Sequence, residues 1–225
     1  MDDPLKRPAT GPRLARAALA MLLGLAFTPS CPAQPPAART LVFFGDSLTA
    51  GYGLPDPGTQ SYPAQVQGRI DLERLPWEVL NAGLSGETSA GGLRRVDWVI
   101  NRRPDVFVLE LGANDGLRGI PPEVTRANLQ AIIERVRSRY PGAAIVLAGM
   151  RMPASMGPEF EQAFAAIYPA LAKKNGLTLI PFLLEGVAGR PELNQPDRIH
   201  PSASGASIVA DTVWKSIRPI LIDFR

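Results

Sequence analysis

From Arg39 onward the chain alternates short apolar runs with segments whose apolar residues recur every three or four positions. Leu41-Val42-Phe43-Phe44 reads as a buried strand, and a loop rich in glycine and proline follows from Gly45 to Gly58. Helical spacing then runs from Ser61 to Leu75, with Val66, Ile70 and Leu72 as inward positions. Trp77 to Leu80 forms a short second strand ending at Asn81, Thr88 to Asn101 a helix, and Val106 to Leu111 a third strand. Pro121-Pro122-Glu123 opens a helix bearing Val124, Leu129, Ile132, Ile133 and Val136, with proline in the first turn, where its missing N–H costs nothing. Ala144 to Ala148 is the fourth strand, Glu159 to Lys174 a helix, Leu177 to Ile180 the fifth strand, and Ser202 to Ile217 the closing helix. Strands alternating with helices imply an α/β fold built on a parallel sheet covered on both faces.

In such a sheet, sites lie in the crevice beyond the carboxyl ends of the strands. Four polar clusters fall on that edge: Gly45-Asp46-Ser47-Leu48 after the first strand, Ser85-Gly86-Glu87-Thr88 after the second, Gly112-Ala113-Asn114-Asp115 after the third, and Asp197-Arg198-Ile199-His200 past the fifth.

Composition sharpens this. One cysteine and one histidine exclude a disulfide framework and the usual Cys/His zinc sites. Any general-base histidine must be His200. The formal charge of +3 is front-loaded: Lys6, Arg7, Arg13 and Arg16 precede the apolar run Ala17 to Phe27, and small residues follow it. This describes a secretory signal peptide over residues 1–33, with cleavage as late as 38, ahead of a single domain over 39–225. Its removal leaves a net charge near +1, so the basicity gives no reason to expect nucleic acid. An exported periplasmic or secreted monomer without a stable membrane span is expected; lipid attachment at Cys31 is the lesser alternative.

A serine hydroxyl needs a base within hydrogen-bond reach, and the base needs an orienting carboxylate. Ser47, His200 and Asp197 can fill these roles, Asp197 reaching back three residues to the ring Nδ1–H. The backbone N–H groups of Ser47 and Gly86, with the Asn114 amide, can receive the charge that develops on an attacked carbonyl. The loop from Gly45 to Gly53 lacks both the Gly-x-Gly-x-x-Gly pattern and a Gly-Lys-Ser/Thr phosphate loop. No Gly-x-Ser-x-Gly elbow surrounds Ser47 or Ser85.

Together, the four clusters resemble the successive blocks of the GDSL, or SGNH, hydrolases, in order across nearly the whole chain after residue 38. Gly51-Tyr52-Gly53, Asn114 to Gly119 and Phe164 to Pro169 resemble the bacterial periplasmic arylesterase, acyl-CoA thioesterase and lysophospholipase branch. The resemblance implies a three-layer α/β/α sandwich with a five-stranded parallel, flavodoxin-like sheet. It further implies Ser47 as nucleophile, Asp197 and His200 as its partners, an oxyanion hole of Ser47, Gly86 and Asn114, and no metal or organic cofactor. Gly86 is preferred to Gly83 because its context, Ser-Gly-acid-Thr, matches the block. Aryl or fatty acyl esters, acyl thioesters and lysophospholipids are the expected substrates, with Leu48, Leu117, Ile120, Met152 and Met156 lining an acyl groove. A carbohydrate O-acetyl esterase and a non-catalytic acyl-ligand-binding protein remain as alternatives.

Overall fold

The computed structural model describes residues 38–224; the expected leader and Cys31 lie outside them. Five strands form one parallel sheet in the order β2-β1-β3-β4-β5: β1 (Arg39–Gly45), β2 (Trp77–Gly83), β3 (Val106–Glu110), β4 (Ala144–Ala148) and β5 (Thr178–Ile180). Helix α3 (Tyr62–Leu72) packs on α9 (Ala203–Asp223). Helix α4 (Ser89–Val99) packs on α6 (Pro122–Arg139), which meets α8 (Ile167–Asn175). The sandwich is therefore the three-layer α/β/α arrangement that the alternating pattern requires. Leu41 to Phe44 and Val106 to Leu109 are fully buried, as expected for inner strands covered on both sides.

Two short helical turns, α1 (Ser47–Ala50) and α2 (Pro57–Gln60), interrupt the segment read as a plain loop. β2 continues past Leu80, because Asn81, Ala82 and Gly83 still pair with Phe43, Phe44 and Gly45. The single helix expected over 159–174 is two, α7 (Pro158–Ala165) and α8, broken at Ala166. Pro169 explains the break: without an N–H it cannot bond to the Ala165 carbonyl, so it suits the first turn of a new helix. The last helix runs beyond Ile217 to Asp223 with Pro219 inside it. Its final turn is held by tertiary bonds, Trp77 Nε1–H donating to the Leu221 carbonyl at 3.1 Å and the Arg39 guanidinium to that of Phe224. Helix α5 (Ala113–Leu117) begins directly after β3.

The chain leaves β1 for β2 on one side and then returns to β3 on the other. The sheet therefore reverses direction between the carboxyl ends of β1 and β3, the place where such folds bind ligands. Among the described residues, no helix is long and apolar enough to cross a membrane.

Candidate active site

Gly45 is in register with both Gly83 and Glu110, which sets the loops after β1, β2 and β3 side by side. Ser47 is the first residue of α1 and is not its cap: Asp46 caps the turn, Oδ1 accepting from Leu48 N–H at 3.0 Å. Its hydroxyl is thus free for a distant partner. His200 Nε2 lies 2.8 Å from Ser47 Oγ, and Nδ1 lies 2.7 Å from Asp197 Oδ2. With the proton on Nδ1, Nε2 accepts from the serine hydroxyl.

The loop bearing the pair is closed by a bridge between Asn194 and Pro201 and by Gln195 N–H donating to the His200 carbonyl at 2.7 Å. Arg198 turns it with φ +60°, and Asp197 Oδ1 accepts from the N–H groups of Ile199 and His200 at 2.9 and 3.0 Å. Partial burial pushes the Asp197 carboxyl upward, but hydrogen bonds from the His200 ring and those two N–H groups outweigh it and hold the group down at about 2. The Gln195 amide donates to the Tyr52 carbonyl at 2.7 Å, and the Tyr52 ring lies 4.7 Å from the imidazole.

The β2 loop is held from both ends. Arg95 grips the buried Glu87 carboxylate and donates to the Ala82 and Gly45 carbonyls at 2.8 and 3.1 Å. Arg118 donates to the Gly86 carbonyl at 2.9 Å. Asp115, buried in α5, accepts from Ser89 N–H at 2.7 Å and from the Ser89 hydroxyl, tying the segment carrying Gly86 to the helix carrying Asn114. The two glycines weighed from sequence separate cleanly. A Cβ on Gly83 would fall 2.2 Å from Ala50 N, so this glycine lets β2 pack against α1. Gly86 has φ +79° and nothing within 3.8 Å of a Cβ, so conformation requires it and space does not. Among the described residues, the Ser47 and Gly86 N–H groups have no protein acceptor.

A cavity of about 570 Å³ opens beside Ser47, Asn114 and His200. Leu48, Leu117 and Met152 line it. Ile120 and Met156 do not: Ile120 N–H closes the end of α5 on the Asp115 carbonyl, and Met156, in a 3-10 turn over Ala154–Met156, packs against the core. The far wall comes from Phe182, Leu184, Arg198 and Ile199. A signal for these existed in sequence, since the loop after the fifth strand opens onto the same edge. Glu110, an acid ending an otherwise apolar strand, carried a similar signal.

The GDSL-like lipase/acylhydrolase family matches residues 43–208, which include every one of these groups. The chain belongs to that family. It is 38% identical over 189 residues to esterase TesA of Pseudomonas aeruginosa, covering 84% of this chain and 92% of the relative. It is equally 38% identical over 186 residues to thioesterase 1/protease 1/lysophospholipase L1 of Escherichia coli K12, covering 82% and 86%. The crystal structure of TesA superposes with a TM-score of 0.77 at 38% identity, covering 81% of this chain and 99% of that one. This GDSL hydrolase is thus a carboxylic ester hydrolase.

Proposed function

We propose that this GDSL hydrolase is an exported serine esterase that works through an acyl-enzyme on Ser47. The observation that carries the reading is the unbroken Asp197–His200–Ser47 relay facing an apolar cavity of about 570 Å³. In the first step His200 Nε2 takes the Ser47 proton as Oγ attacks the ester carbonyl. The oxygen that becomes negative meets the N–H groups of Ser47 and Gly86 and the Asn114 amide. Collapse expels the alcohol or thiol, which leaves with the proton from His200. Water, deprotonated by the same imidazole, then attacks the acyl-enzyme and frees the acid and Ser47.

The cavity falls within the roughly 300–1,000 Å³ typical of small-molecule sites. Its Leu48, Leu117, Met152, Phe182 and Leu184 lining suits a fatty acyl or aryl group. The names of the E. coli relative extend the proposal to acyl thioesters and lysophospholipids. The Arg and apolar pattern ahead of residue 33 supports export.

The test is a chain-length series of aryl and thiol esters with the purified protein. Turnover with an initial burst is expected, and Ser47→Ala should lower kcat on the order of 10⁴–10⁶-fold. Ligand binding without turnover in both proteins would overturn the reading in favour of an acyl-binding protein.

A further inference from the structure

Beneath the candidate nucleophile lies a polar cluster that the two-step reaction leaves unused. Glu110, the last residue of β3, is fully buried. Its Oε2 accepts from Asp46 N–H at 3.2 Å and from the Thr49 hydroxyl at 2.8 Å, and the Tyr62 hydroxyl lies 2.7 Å from that of Thr49. A Cβ on Gly45 would fall 2.4 Å from Glu110 Oε2 and 2.1 Å from Thr49 Oγ1, so only glycine there lets the carboxyl rise under the turn. Asp46 is also fully buried. One of its oxygens accepts from Leu48 N–H, and the other, Oδ2, accepts from the Asn114 amide at 3.1 Å.

That last bond matters because of what a primary amide is. Asn114 Nδ2 carries two hydrogens, one given to Asp46 and one left over for an oxyanion. Turned over about its terminal torsion, the same amide would offer a carbonyl oxygen, which repels developing negative charge. Among the described residues, the Asn114 side chain has one hydrogen-bond partner, Asp46. An ionised carboxylate only accepts, so it selects the donor face; a protonated one no longer does.

We propose that Asp46 is a positioning residue of the oxyanion hole, its ionised carboxylate holding the Asn114 amide in the donating orientation and its protonation releasing that amide. The groups facing Asp46 are Glu110 from β3, His200 from the loop before α9, Tyr62 from α3 and Tyr168 from α8. Burial, and then the neighbouring Asp46 charge, push Glu110 well up. Burial pushes both phenols well up too. Asp46 itself is pushed by burial to about 6, against the pull of Leu48 N–H and the Asn114 amide. It therefore takes up its proton at a higher pH than an ordinary aspartate does.

The inference rests on the ester-hydrolase reading, and its test separates the two. In the unaltered enzyme, log kcat/KM for an aryl ester should fall on the acid side with a slope that exceeds one while Asp46 takes up its proton, an added loss of about 10²-fold. Asp46→Asn should reduce the slope to one and lower kcat about 10²-fold with KM little changed, as for loss of an oxyanion donor. Asn114→Ala should cost about the same, and the double variant less than about threefold more, because both changes remove one donor. A slope that nowhere exceeds one in the unaltered enzyme, or losses that multiply in the double variant, would overturn the proposal. Inactivity of Ser47→Ala in the same assay leaves the ester-hydrolase reading standing in either case. The slope in the unaltered enzyme requires no variant to fold.

Discussion

At the scale of single residues, Gly83 and Gly86 sit three positions apart and are glycines for different reasons. Gly86→Ala places a Cβ at φ +79°, a strain of ~1–2 kcal/mol with room to spare. It is expected to lower Tm by several degrees and to cut kcat, as the relaxing backbone carries its N–H out of line. Gly83→Ala drives a Cβ into Ala50 N and should cost more in Tm, with α1 and Ser47 displaced together. Differential scanning calorimetry alongside the ester assay orders the two variants.

Ionisation separates the two aspartates in the same way. Asp46 binds its proton more tightly in the folded chain than its ordinary 3.8, so its contribution to stability is complete below that value and is lost as pH rises through about 6. Asp197 is depressed to about 2, so its contribution is present above 3.8 and disappears as pH falls through about 2. Asp46→Asn should therefore gain on the unaltered protein in Tm between pH 4 and pH 7, measured by thermal melts across that interval. The acid limb of activity lies above the range in which Asp197 titrates.

At the scale of elements, α9 shows how tertiary bonds override a local rule. Proline at 219 argues for a helix ending near Ile217, yet Val213, Ile217 and Leu221 form one buried stripe, and Trp77 fastens the last turn. Trp77→Phe keeps the ring and loses the indole N–H, at a cost of about 1 kcal/mol or ~2–4 °C in Tm. Ester turnover should be unchanged, because Trp77 starts β2 and the site lies at its other end. The type of each principal strand and helix was legible in sequence because the period of apolar residues reports which side meets the core. The tail of β2 was not, since Asn81, Ala82 and Gly83 are held by backbone pairing with β1 rather than by apolar side chains. The break at Ala166 was marked only by Pro169. Within the candidate site, Ser47 and Asn114 could be read because each lies just past a strand end, and Asp197 and His200 because the sequence holds one histidine with an aspartate three residues before it. The Asp46–Glu110 contact could not, because burial of a carboxyl depends on chain segments 64 residues apart.

On the scale of the whole molecule, one reversal of strand order gathers groups from four loops around one cavity. Met152 and Leu117 belong to its wall, and Met152 also fills the space beside Gly116. Shortening Met152 to Ala should shift the preferred acyl chain towards longer esters, read as the maximum of kcat/KM along the series. A single imidazole in the sequence allows a further check: an imidazole-acylating reagent should abolish turnover in step with one modification per chain, and substrate should slow it.

The chain enters β1 at Arg39 and leaves α9 at Phe224, and a bond from the Arg39 guanidinium to the Phe224 carbonyl brings those two points together. They meet at the amino-terminal face of the sheet, a seven-residue strand or roughly 20 Å from Ser47. The order of elements along the chain can therefore be rewritten without touching the chemistry. A short linker joining Phe224 to Arg39, with new ends opened at the exposed Pro141–Gly142 turn, gives a circular permutant that should still hydrolyse esters.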